Sequence, residues 1–135
     1  MTRRVANPDW PRFDRVTFSA AVRMGGTWIL SGIGSTDAHG ELLHPEDLVK
    51  QTRQIYVNAS EILRIAGTSM ESVVKTVDFI VPEAVEHYAL TRQVRREFFS
   101  SPFPAATGVV VHSLLRKGML IEIEFWALAG DEATA

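Results

Sequence analysis

Two carboxylates, Glu122 and Glu124, share one side of an apolar run near the end of the chain with Leu120, Trp126 and Leu128. Ile121, Ile123, Phe125 and Ala127 occupy the alternate positions, a period of two that predicts a strand from Leu120 to Leu128. The alternate set reads as a core face. The acidic set is less usual, because an open solvent face would be polar throughout. A face both apolar and acidic suits a subunit interface or a ligand cleft. Two carboxyls on one strand face, roughly 7 Å apart, can serve as an acid/base pair or be ion-paired across a seam. Between Leu120 and Trp126, Glu122 would be partly desolvated and its pKa raised.

Other chemistry-bearing residues give weaker patterns. Arg92 falls on a helical stripe with Val85, Ala89 and Phe99, which predicts a half-buried guanidinium; a surface or seam position is the plainer alternative. Arg95 and Arg96 read as solvated. Ser31 and Thr107 stand at strand ends, where hydroxyls commonly satisfy backbone groups. No base is evident beside either, so nucleophilic catalysis has little support. His39, His44, His87 and His112 lack metal-site spacing and no cysteine is present, so neither a metal nor a cofactor is expected. Trp10, Trp28 and Trp126 read as core or interface.

The elements that must position these groups can be read in turn. Residues 1–15, with Pro8 and Pro11, form an irregular lead-in. Val16–Ala20 is a candidate short strand. Val22–Met24 and Thr27–Ser31 flank Gly25-Gly26, a hairpin signal. Pro45, Glu46 and Asp47 start a helix whose Leu48, Thr52, Ile55, Tyr56, Ala59, Ile62, Leu63 and Ala66 recur at helical spacing, and Gly67 stops it. Val73–Val81 is a strand ended by Pro82. A second helix is expected from about Glu83 to Phe99, then a strand from Thr107 to His112 ahead of the acidic one. The order is β-β-α-β-α-β-β, an α+β mixed sheet with two helices on one face. The bare face then needs a cover, and another copy of the chain is the natural one.

A chain of 135 residues with 46% hydrophobic and 22% charged residues is read as one globular domain spanning 1–135. A net charge of −2 gives no electrostatic case for nucleic acid or an anionic membrane, and no apolar run approaches a membrane span. A cytoplasmic location is the default expectation.

Several stretches together resemble the Rid (YjgF) family of enamine/imine deaminases. They are Gly25 to Gly32 (GGTWILSG), Gln51-Thr52-Arg53 with Asn58, Ala66-Gly67 followed by Val74 to Thr76, Phe98-Phe99, Phe103-Pro104-Ala105, and Leu120 to Glu124 (LIEIE). They run in the family's order from about residue 16 to 129. The resemblance implies a chorismate-mutase-like fold and a homotrimer whose clefts, between adjacent subunits, accept small 2-imino or 2-enamino acids and release ammonia. It implies that Glu122 positions the attacking water. It places Thr107 at a serine/threonine position, Gly108 where a backbone N–H helps hold the substrate carboxylate, and Ser31-Gly32 on the cleft wall. Two positions depart from the family. Ala106 stands where the carboxylate-clamping arginine belongs, and alanine cannot replace that bidentate donor. Phe18 replaces a common tyrosine and lacks its hydroxyl. Arg92 falls where the second helix often carries a cleft asparagine, and on this reading it would supply the cation that Ala106 lacks.

The leading expectation is therefore a hydrolytic deaminase of a small enamine or imine, 2-aminomuconate-like rather than 2-aminoacrylate because the clamp is absent. Glu122 would orient water, Gly108 N–H and Arg92 would hold an acid group, and Phe18 and Trp126 would wall the pocket. The alternative is a non-catalytic ligand-binding or regulatory trimer. A nuclease is disfavoured by the net acidity and the lack of a basic-aromatic surface pattern.

Overall fold

The computed structural model describes residues 3–130. Six strands form one mixed sheet: β1 Val5–Ala6, β2 Ala21–Met24, β3 Thr27–Leu30, β4 Val73–Ile80, β5 Ala105–Val110 and β6 Ile121–Leu128, in the spatial order β1-β2-β3-β6-β4-β5. Only β4 and β5 run parallel; the other neighbours are antiparallel. Helices α1 (Leu48–Ile65) and α2 (Thr91–Phe98) lie on one face. This is the expected α+β, chorismate-mutase-like architecture.

The acidic strand, β6, is interior, between β3 and β4. Its Ile121, Ile123, Phe125 and Ala127 are fully buried under the helices. Glu122, Glu124 and Trp126 are half-buried on the opposite face and Leu128 is exposed there. Register fixes the rows on that open face: Glu122 beside Phe79 and Val109, Glu124 beside Val77 and Thr107, Trp126 beside Ile29 and Lys75.

Helix α1 follows its sequence pattern. Asp47 caps it by accepting the Lys50 N–H at 3.0 Å, Leu48, Thr52, Ile55, Tyr56, Ala59, Ile62 and Leu63 are buried, and Gly67 exits with φ +87°. In the β2–β3 hairpin only Gly25 has positive φ (57°), the sign pattern of a type II′ turn rather than one needing both glycines.

Three local expectations are corrected. The lead-in contributes edge strand β1 and a 3-10 turn, Pro11–Asp14. Residues 16–20 form no strand, because their backbone is claimed elsewhere: Asn7 Oδ1 accepts the Ala20 N–H at 2.7 Å and the Ser31 hydroxyl donates to Ser19 O at 2.7 Å. The helix expected from Glu83 winds as a 3-10 helix over Pro82–Leu90 and becomes α-helical only at Thr91. A period of three breaks the Val85–Ala89–Arg92 stripe, and all three side chains are exposed rather than half-buried.

Candidate active site

The carboxyl of Glu122 lies against Gly32. A Cβ at position 32 would come within 2.2 Å of Glu122 Oε1, so only glycine allows this approach. Both residues line a cavity of about 420 Å³ together with Arg12, Phe18, Ser31 and Arg116. The sequence brings Phe18, Ser31, Gly32 and Glu122 to one place by three local devices. Ser31 follows β3 and its hydroxyl ties the Phe18–Ala20 segment to that strand. Asn58 on α1 donates to Thr36 O at 2.9 Å and fixes the segment after Gly32. Gln51, also on α1, donates to His44 O and Gly118 O at 3.0 and 2.7 Å and accepts from Leu120 N at 2.8 Å, anchoring the approach to β6. Buried polar side chains thus convert one helix into a frame for two loops.

Burial, then Glu124, pushes the Glu122 carboxyl above its usual pKa, and Arg12 pulls it back down. A carboxyl held partly out of water in this way can take a proton from water and return it. Arg12 is half-buried, donates to Thr36 Oγ1 at 3.0 Å, and sits 5.5 and 5.9 Å from the ring centroids of Phe13 and Phe18. Its pKa is lowered by burial and then by Arg116 and Arg15. Arg116 lines the same cavity and donates to Gly40 O, close to Arg12: a Cβ at position 40 would lie 3.7 Å from Arg12 Nε and 3.9 Å from Arg116 Nη2.

The remaining expected site residues lie elsewhere in the protomer. Thr107 is on the open face of β5 and accepts from Lys75 Nζ at 2.9 Å. Gly108 stands opposite Asp78, where a Cβ would come within 3.2 Å of the Tyr88 hydroxyl. Two strand spacings, about 10 Å, separate β5 from β6. Arg92 lines a separate cavity of about 430 Å³ with Val85, Tyr88 and Arg95. Trp126 is four residues along β6 from Glu122 and outside its cavity. The two cavity arginines were not singled out from sequence. Arg12 sits in a stretch without period, and Arg116 in a loop whose contact partner is 76 residues away. Among the described residues no group of His, Cys, Asp and Glu could hold a metal, and no helix is long and apolar enough to cross a membrane.

The family model described as Endoribonuclease L-PSP matches residues 13–129. The 2-iminobutanoate/2-iminopropanoate deaminase of Capra hircus is 33% identical over 119 residues, covering 87% of this chain and 84% of that protein. The human protein of the same name is 32% identical over the same coverage. Among solved structures, YyfA of the conserved Rid protein family from Yersinia pestis superposes with a TM-score of 0.84 at 29% identity, covering 95% of this chain and 100% of that one. RidA from an Antarctic Psychrobacter gives 0.82 at 28% identity, with 93% and 99% coverage. On the length of the model match and the identity to these relatives, the chain belongs to the Rid (YjgF, or L-PSP) family.

Proposed function

We propose that this protein is a hydrolytic deaminase of a small enamine or imine, working at the Glu122 cavity. The observation that carries the reading is a carboxyl with a raised pKa held against Gly32 in an open cavity walled by Phe18 and Ser31. The named activity of the similar mammalian deaminases agrees with it.

In the proposed step Glu122 takes a proton from water as the oxygen attacks the C=N carbon. The carboxylic acid returns that proton to the nitrogen, giving the neutral carbinolamine; the carbinolamine hydroxyl proton then passes by way of the same carboxylate to the nitrogen as the C–N bond breaks, and ammonia and a carbonyl compound leave. An enamine enters the same route after tautomerising to the imine. The favoured substrate is a 2-aminomuconate-like compound, since Ala106 offers no clamp for the shortest imino acids.

The protein is proposed to act as a homotrimer in the cytoplasm. The open sheet face and the wholly exposed β5 support association. An adjacent copy's Thr107, Gly108 and Arg92 would then approach the Glu122 cavity, and Trp126 would be covered at the seam. A binding module without turnover is the second reading, favoured by Ala106 and by the absent hydroxyl at Phe18. Ammonia release separates the two. Enzymatically generated 2-iminobutanoate and 2-aminomuconate are supplied in turn, and release above the uncatalysed rate is expected with at least one. Saturable binding of either compound with no added ammonia would leave the binding module.

A further inference from the structure

Arg12 and Arg116 line one cavity with their guanidinium groups close together beside Gly40, and neither forms an ion pair among the described residues. Each is held in place by a neutral acceptor, Thr36 Oγ1 for Arg12 and Gly40 O for Arg116. Arg12 Nε is buried with no hydrogen-bond partner. A guanidinium carries more N–H donors than the one that each arginine uses here, so donors remain for an acceptor from outside the chain that enters the cavity. Two like charges are also costly to keep together unless an anion joins them. Burial, then Arg116 and Arg15, lowers the Arg12 pKa, and Glu122 offsets part of this. Glu122 is the cavity's sole lining acid among the described residues, and the proposed deaminase reserves it for water.

We propose that Arg12 and Arg116 together bind the carboxylate of the substrate, the role that Ala106 cannot fill, with the rest of the molecule lying over Phe18 toward Glu122. This rests on the deaminase reading for the identity of the substrate, but the anion site itself does not. Arg12 supplies a guanidinium already braced by two aromatic rings, so little order is lost on binding. Arg116, exposed and tied at one nitrogen, closes on the same group. The family position near β5 is thereby replaced by two positions on the loops that frame the Glu122 cavity.

Sorbate and sorbamide test this, since they share length and unsaturation and differ in charge. NMR titration of the labelled protein is expected to show sorbate bound roughly tenfold or more tightly than sorbamide, with the Gly32 and Gly34 amides shifting. Raising the salt concentration should weaken sorbate alone. The preference should collapse in Arg116→Gln and in Arg12→Gln, and Arg116→Lys should restore part of it. Because Arg116 is exposed, its variant is informative even if Arg12→Gln folds poorly. Equal binding of the two compounds, or a sorbate preference kept in Arg116→Gln, would overturn the proposal. Loss of the preference together with a protein that never releases ammonia would retain the anion site and remove the deaminase. Turnover with unchanged KM in both arginine variants would do the reverse.

Discussion

The ionisation of Glu122 depends on burial and on two neighbours of known sign. Burial and Glu124 raise its pKa and Arg12 lowers it. A base acts when ionised, so kcat/KM should climb with pH through an inflection above the ordinary carboxylate range. Arg12→Met should move that inflection up and Glu124→Gln should move it down. An inflection unmoved by either variant would mean that another group is titrating. The same raised pKa sets a stability cost. The folded chain binds this proton more tightly than the unfolded chain, so its contribution is full below the unfolded pKa and is lost as pH rises through the folded one. Buried Asp78, whose carboxyl accepts from Tyr88 at 2.5 Å, has a raised pKa and the same sign. Glu122→Gln should accordingly melt no lower than the parent at pH 7, and a large fall in Tm would refute that linkage. Gly32 has a steric role. Its replacement by alanine displaces the carboxyl, and an error of about 1 Å in a reacting group costs on the order of 100-fold in rate. Gly32→Ala should show that loss in kcat, and a kcat within twofold of the parent would contradict the packing.

At the scale of elements, α1 both packs the core and holds the site. Gln51 is fully buried and makes three hydrogen bonds to backbone groups of the flanking loops. Gln51→Leu would leave those groups unpaired, and should cost roughly 2–4 kcal/mol in denaturant unfolding while raising KM. A variant as stable as the parent would show that water replaces the side chain freely. The α1 stripe and the β6 alternation were legible in the sequence because each element meets the core along one regular face. The 3-10 helix Pro82–Leu90 was not, since its apolar residues fit an α-helical period that the backbone does not adopt. The missing strand at 16–20 escaped for a related reason: Asn7 and Ser31 take its backbone groups through contacts 13 and 12 residues apart.

For the whole molecule, the legible part was the architecture and the Glu122–Gly32–Ser31–Phe18 grouping; the cations beside it were not. Arg12 reaches Thr36 across 24 residues, and only the folded chain sets it beside Arg116. The open face carries half-buried Ile29, Trp126, Val77 and Phe79 around the two acids, an apolar cluster on the sheet face that the helices leave bare and that another copy could cover. Sedimentation velocity should therefore give three times the protomer mass, and Val109→Glu on exposed β5 should shift the species toward smaller assemblies. A protomer-mass species at micromolar concentration would refute the cleft between copies while leaving the cavity itself in place.

The claim on which the rest depends is that the Glu122 carboxyl activates water in the cavity it shares with Phe18, Ser31 and Gly32. Ammonia release from whichever of 2-aminomuconate and 2-iminobutanoate the parent turns over, generated in place and measured for Glu122→Gln beside the parent, tests it most directly. A fall of roughly 100-fold or more in kcat with an intact melting transition is the predicted result. Glu122→Gln turning over at the parent's rate would contradict it.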